Sequence, residues 1–202
     1  MPDDRRLVRR IQSGERRAFE EFVDSFGPRV HRLVRRYVEN PTDAEDLTQE
    51  AFVRAFRFFG RYNRDMPFEN WLYRIISNVF VDELRRRPKL RTQSLDQPVA
   101  PAKGGSEVLP EVADDTADPE RLLFHGELDE PLQHSLNMLP HEFRQAVILA
   151  DIEGLSYEEI SEVMGCSLGT VRSRLHRGRK LLRNRLREQY GYTLGGVRGM
   201  DQ

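Results

Sequence analysis

The chain has 202 residues, 38% of them hydrophobic and 32% charged, with a formal net charge of −1, a length that suits one large or two small domains. No run approaches the roughly 18 uncharged apolar residues of a membrane span, and the N-terminus (Asp3, Asp4, Arg5, Arg6, Arg9, Arg10) has no apolar core for a signal peptide, so a cytoplasmic protein without membrane insertion is expected. The single cysteine, Cys166, excludes an internal disulfide and a multi-cysteine zinc site, and the five histidines (His31, His125, His134, His141, His176) form no i,i+4 pair, so neither a metal nor a cofactor is expected.

Helical periodicity starts near the N-terminus. Apolar residues recur as Leu7, Val8, Ile11, then Ala18, Phe19, Phe22, Val23, Phe26, then Val30, Leu33, Val34, Tyr37. In the run N-P-T-D-A-E-D-L, Thr42 is placed to cap the next helix, Glu45 to complete a capping box, and Pro41 just outside it. That helix turns Ala44, Leu47, Ala51 and Ala55 to one side and Asp43, Asp46, Gln49 and Glu50 elsewhere. A further helix is predicted from about Phe68 to Arg86, stopping at Pro88 and carrying Trp71, Leu72, Ile75, Ile76, Val79 and Leu84. No strand alternation is found, so the fold is expected to be all-α.

Aromatic residues cluster between these two helices. At helical spacing they are expected in the core, which makes burial the default for Phe52, Phe56, Trp71 and Leu72. Tyr62, by contrast, lies in a polar, loop-like stretch, and aromatics interleaved with Arg61, Arg64 and Arg74 suit stacking on unpaired bases with neutralised phosphates. Reading an extruded base also needs hydrogen bonds to its Watson–Crick edge, which Asn63, Asn70 and Asn78 can supply.

The charge is unevenly distributed. Residues 1–91 carry 20 basic against 15 acidic side chains, a net of +5; residues 92–135 carry 2 against 10, a net of −8; residues 136–202 carry 10 against 8, a net of +2. The middle piece, from Thr92 to about Pro119, is rich in Pro, Gly, Ser and acid and poor in apolar periodicity, as a flexible linker between two domains would be. Its negative charge simply solvates a spacer, shields the flanking basic domains from each other's DNA sites, or occupies a nucleic-acid path on a partner.

From Leu155 onward the pattern is sharpest. Ser156 opens a helix with Glu159 at the capping-box position, Gly165 supplies a permissive turn, and Ser167 caps a second helix with Leu168, Val171, Leu175, Gly178 and Leu182 as its buried stripe. At about 100° per residue the opposite face receives Ser173, His176, Arg177 and Lys180, flanked by Thr170, Arg172 and Arg174. Between Thr170 and Arg187 stand eight Arg or Lys and no acid. These are the parts of a helix-turn-helix, whose second helix enters the DNA major groove. Cys166 is expected to pack between the two helices as a small apolar group.

Three ordered blocks, D-A-E-D-L-T-Q-E-A-F-V-R-A-F (43–56), F-E-N-W-L-Y-R-I-I-S-N (68–78) and the run from Leu139 to Arg179, resemble an extracytoplasmic-function sigma factor of bacterial RNA polymerase. The resemblance implies two small helical domains: a sigma region 2 bundle at 1–91 and a sigma region 4 helix-turn-helix at 130–190. A flexible acidic linker (92–129) would join them, and a tail would occupy 191–202. By the same resemblance Asp46, Leu47, Gln49, Glu50 and Phe52 would grip the beta-prime coiled coil of core polymerase, with the beta subunit as a further contact. Residues 61–70 would form the loop that captures a flipped base of the minus-ten element. Tyr62 and Asn78 would border that pocket, with Arg61, Asn63, Asn70 and Arg74 around it. Thr170, Arg172, Ser173, His176 and Arg177 would read the minus-thirty-five element, beside Arg174 and Lys180.

The minus-ten loop varies within the family, and here it contains Met66-Pro67, which bears on its shape and hence on the base it accepts. The family is commonly held inactive by an anti-sigma factor, and no sensor is evident in the chain, consistent with control in trans. With the chain ending at Gln202, an extra C-terminal domain is not expected. The partners implied are core polymerase, promoter DNA and an anti-sigma factor, with no small-molecule substrate and no catalytic residues. A free-standing helix-turn-helix regulator is the alternative, but it leaves the aromatic loop and the D-L-T-Q-E-A-F helix without a purpose. A nucleic-acid enzyme fits less well, because Asp46 and Glu50 on an exposed helix make a poor metal site.

Overall fold

The computed structural model describes residues 4–62, 66–86 and 128–191, and among the described residues every regular element is helical. In chain order these are α1 (Asp4–Gln12), α2 (Arg16–Tyr37), α3 (Pro41–Phe58), a 3₁₀ turn (Phe59–Arg61) and α4 (Phe68–Arg86). They are followed by α5 (Glu130–Asn137), α6 (His141–Val147), a π turn (Ile148–Ile152), α7 (Tyr157–Met164) and α8 (Leu168–Tyr190). The expected acidic linker lies outside the described residues except at Leu128 and Asp129, as do Asn63 and the tail beyond Gly191.

The apolar runs on either side of Gly27-Pro28 belong to one helix. Ala18, Phe22, Phe26, Val30, Leu33, Val34 and Tyr37 form its continuous buried stripe, and Pro28 is exposed on the opposite side. Although proline removes one helical donor, the burial on both sides keeps the helix whole.

At α3 the cap differs from the expected one. Asn40 is the N-cap, its Oδ1 accepting from the Thr42 N–H at 2.8 Å, and Pro41 is the first helical residue. The fixed φ of proline and its missing N–H suit that first position, which moves the cap back from Thr42 to Asn40. The buried stripe of α3 is Ala44, Leu47, Ala51 and Ala55, as its spacing predicts.

Phe22 is the hub of the N-terminal core, with ring centroids of Phe26, Phe52, Phe59 and Phe68 at 5.0–5.7 Å. Leu72 is buried, while Phe52 and Trp71 are half-buried. Phe56 overturns its expected burial: it is 61% exposed, its ring edge-to-face with Phe19 at 4.9 Å. It follows Ala55, the last residue of the buried stripe, by one step of about 100°, and so turns away from the core.

In the C-terminal half, Leu132, Leu136, Leu139, the run Ala146–Leu149, Ile160, Val163, Val171 and Leu175 form the apolar centre. Buried Arg144 donates to the carbonyls of Asn137 and Leu139, closing the α5–α6 corner. Burial pulls its guanidinium down to about 10, so at neutral pH it is still a cation. The π turn brings Asp151 to Arg179 of α8 through a fork of 3.1 and 2.6 Å, fixing α8 against the turn. Gly178 of α8 lies so close to α6 that a Cβ would sit 2.8 Å from Val147 Cγ2 and 3.2 Å from the Phe143 carbonyl oxygen.

A flexible linker by itself prescribes no orientation, yet the two halves pack directly, α5 on α2 and α7 on α4. Arg144 also donates to the Tyr37 carbonyl at 2.6 Å, Gln145 to the Ser77 carbonyl at 3.2 Å, and Gln133 to the Arg36 carbonyl at 3.3 Å.

Candidate nucleic-acid interface

The helix-turn-helix is built as its sequence prescribes. Ser156 Oγ accepts from the Glu159 N–H at 3.3 Å, while Glu159 Oε2 accepts from the Ser156 N–H at 2.8 Å, a complete capping box. Gly165 turns the chain at φ 61°, in the left-handed region, and Ser167 Oγ caps α8 by accepting from the Thr170 N–H at 3.2 Å. Val171, Leu175 and Gly178 are buried. Leu168 and Leu182, expected in the same stripe, are not: Leu168 is 37% exposed and Leu182 half-buried. Leu168 opens the helix ahead of the turn packed on α7, and Leu182 packs only partly covered against the edge of the core.

Arg172, His176, Arg177 and Lys180 are exposed together on the outer face of α8, with Thr170, Ser173 and Arg174 half-buried beside them. Thr170 Oγ1 lies 2.9 Å from Ser167 Oγ, and Arg174 Nη1 lies 3.6 Å from the half-buried Cys166 Sγ. Arg179 is committed to Asp151, whose carboxylate holds the guanidinium proton more tightly than usual, so it is not part of the outer face.

The residues expected at the minus-ten pocket are spread over the 3₁₀ turn and α4. Arg61 is exposed, its guanidinium 5.8 Å from the Phe58 ring centroid. Tyr62 is half-buried rather than free in a loop: its ring lies 5.6 Å from Phe68 and 5.2 Å from Trp71, and its hydroxyl donates to the Met66 carbonyl at 3.0 Å. Arg74 and Asn78, four residues apart on one face of α4, are both exposed. Asn70, on that same row, is only 4% exposed, because its side chain donates to Glu159 of α7 at 3.0 Å.

Asp46, Leu47, Gln49 and Glu50 line a cleft of about 320 Å³ between α3 and α4. Leu47 is its floor, buried in the protein's own core. Phe52 points away from the cleft, toward Phe22. The cleft also includes residues the sequence reading missed: Val53 and Arg54 on α3, and Val79, Glu83 and Arg86 on α4. Arg54 bridges Glu50 at 2.8 Å and Asp82 at 2.6 Å, fixing Glu50 and tying α3 to α4. Its i,i+4 spacing from Glu50 was a readable signal for that link; the contribution of α4 depends on tertiary packing and had none.

Comparisons with known proteins agree with this layout. The family model for Sigma-70 region 2 matches residues 22–89, and that for Sigma-70, region 4 matches residues 129–182. An N-terminal helical bundle joined to a C-terminal helix-turn-helix of these two types defines a sigma-70-type transcription initiation factor. The chain is 44% identical over 176 residues to the ECF RNA polymerase sigma factor SigE of Mycolicibacterium smegmatis, covering 87% of this chain and 64% of that relative's length. It is 34% identical to the ECF RNA polymerase sigma factor SigW of Bacillus subtilis, covering 91% of this chain and 97% of SigW. Among solved structures, CnrH in complex with the cytosolic domain of CnrY superposes with a TM-score of 0.61 at 26% identity, covering 92% of this chain and 98% of that one. The chain belongs to the ECF RNA polymerase sigma factors. The free-standing regulator is not favoured, since it accounts for neither the region 2 match nor relatives aligned over nearly their full length.

Proposed function

We propose that the protein docks on core RNA polymerase through the α3–α4 cleft, carries α8 to the minus-thirty-five element, and helps melt the start site by holding an unpaired minus-ten base beside Tyr62, Arg74 and Asn78. The observation that carries this reading is the exposed basic face of α8 on a fully capped helix-turn-helix, in the same chain as a region 2 bundle. Acceptor carboxylates at Asp46 and Glu50 would make charge-assisted bonds with basic groups on the beta-prime coiled coil. Arg172, His176, Arg177 and Lys180 would divide between base edges and phosphates. The protein acts through binding energy, and its place is the cytoplasm, where polymerase and promoter are. An anti-sigma factor is proposed as a further partner; the similar structure CnrH is itself in complex with the cytosolic domain of CnrY.

Run-off transcription with purified core enzyme tests the proposal. Promoter-dependent transcripts are expected only when the protein is added. Absence of both initiation and a complex with core polymerase would sink it.

A further inference from the structure

Gln12 is the last residue of α1, and its side chain reaches off that helix to the 3₁₀ turn that leads into Tyr62. Its Nε2 donates to the Phe59 carbonyl at 3.2 Å and to the Tyr62 carbonyl at 2.9 Å, across 47 and 50 positions of sequence. Both partners are carbonyl oxygens, which only accept, so the amide must turn its NH₂ group toward them, and its two hydrogens suffice for the two bonds. The Phe59 carbonyl also receives the Tyr62 N–H at 3.1 Å, the backbone bond that closes the turn. A single 3₁₀ turn has poor hydrogen-bond geometry of its own, and this one takes a second tie from α1.

α1 is anchored firmly enough to supply that tie. Leu7, Val8 and Ile11 are buried. Arg10 forks onto Glu15 at 3.0 and 2.7 Å and reaches Glu21 of α2 at 2.7 Å. Gly14, at φ 85° in the left-handed region, turns the chain from α1 toward α2. Gln12 itself is exposed, so its bonds to the turn are not needed to cover an amide inside the core. The ring of Tyr62 is seated separately, against Phe68 and Trp71 with its hydroxyl on the Met66 carbonyl. Tyr62 is thus held at both ends, its ring against α4 and its main chain by α1. α1 lies ahead of residues 22–89, the segment that matches Sigma-70 region 2.

We infer that Gln12 is a positioning residue for minus-ten recognition: by holding the main chain from Phe59 to Tyr62, it sets the place and angle at which the Tyr62 ring meets an unpaired base. The inference rests on the proposed base-holding role of Tyr62, Arg74 and Asn78. Ring stacking depends on orientation and close approach, whereas the attraction of an exposed cation for a phosphate changes little with a shift of about 1 Å. Losing the two Gln12 bonds should therefore loosen the grip on one base and leave the remaining DNA contacts as they were.

The test uses holoenzyme reconstituted from core polymerase and the full-length chain. It is titrated with single-stranded oligonucleotides carrying the minus-ten element of a promoter mapped by run-off transcription, each position of the element being replaced in turn by an abasic site. In the parent, one position should cost about fivefold or more in affinity when its base is removed, the scale of one lost base stack. Gln12→Met keeps the helix propensity of Gln and donates nothing. It should cut that cost by about threefold or more, with the costs at other positions, core-polymerase affinity and thermal melting of the free chain unchanged. Gln12→Ala carries the same expectation and replaces Gln12→Met if that variant melts lower. Retention of the full parental cost in a Gln12 variant sinks the positioning role alone. An equal loss of affinity at every position, or a lowered melting temperature in both variants, also overturns it by making Gln12 a residue of general stability. A parent with no sensitive position removes the minus-ten reading itself, and the inference with it.

Discussion

The Asn70 side chain donates a 3.0 Å hydrogen bond to Glu159, joining the first turn of α4 to the capping box of the helix-turn-helix across 89 positions of sequence. One carboxylate therefore closes a helix cap and an interface between the two halves. Asn70 first, and the Ser156 N–H second, hold the Glu159 carboxyl below the ordinary carboxylate range. A group with a lowered folded-state value contributes stability that is fully present above its unfolded value, about 4.3, and is lost as pH falls through the folded one. Thermal melts of the parent and Glu159→Gln should be well separated at pH 7 and converge towards pH 3. Curves that stay parallel over that range would remove Glu159 from both roles.

Gly178 and Gly169 lie on the same helix and should respond oppositely to a methyl group. At Gly178 an added Cβ meets Val147 Cγ2 at 2.8 Å and the Phe143 carbonyl oxygen at 3.2 Å, so α8 must move off α6. Gly178→Ala should cost about 1–3 kcal/mol, the usual range for overpacking. At Gly169 the nearest atom is Ser167 Oγ at 3.9 Å. There helix propensity dominates, and Gly169→Ala should be neutral or stabilising by up to about 1 kcal/mol. Chemical denaturation of the two variants checks both signs.

What the sequence made legible is what local chemistry decides. The α4 start at Phe68, the Ser156–Glu159 box, the Gly165 turn and the Ser167 cap each depend on residues within a turn or two of one another, and all occur as read, while the expected stop at Pro88 lies outside the described residues. At α3 several polar residues competed for one cap, and the proline between Asn40 and Thr42 settled it. Phe56 and Tyr62 went astray for opposite reasons. A single step off the Ala stripe exposes Phe56, while contacts with Phe68 and Trp71 draw Tyr62 inward from a polar run. The bonds made by Asn70, Arg36 and Glu153 connect residues 89 and 117 positions apart, and no periodicity encodes them.

The α3–α4 cleft predicts a division of labour on one helix. Gln49 is exposed and Glu50 is held by Arg54, both at the cleft, whereas Phe52 rests on Phe22. Gln49→Ala with Glu50→Ala should weaken core-polymerase binding about tenfold or more, the scale of losing contacts worth over 1 kcal/mol, with little change in melting temperature. Phe52→Ala should lower the melting temperature through lost packing. Fluorescence titration against core enzyme and calorimetry separate the two. An undiminished complex for the Gln49/Glu50 pair would refute the assignment.

Asn78 and Arg177 stand at opposite ends of the proposed promoter contact, and both are exposed in the free protein. Asn78→Ala should leave core binding intact and reduce open-complex formation, read as permanganate reactivity of unpaired thymines; unchanged melting would take it out of the pocket. Arg177→Ala should cost about 1–3 kcal/mol at promoters bearing the matching upstream element and nothing at promoters lacking it, if its guanidinium reads a base edge. Lys180, one turn further along α8, serves as the comparison. As a phosphate contact, its loss in Lys180→Ala should weaken initiation about equally at all promoters and reduce the salt slope by about one. Equal losses for Arg177→Ala at promoters with and without the upstream element would move Arg177 into the phosphate class, leaving base readout to Arg172, Ser173 and His176 toward the N-terminal end of α8, the end that in helix-turn-helix proteins contacts base edges.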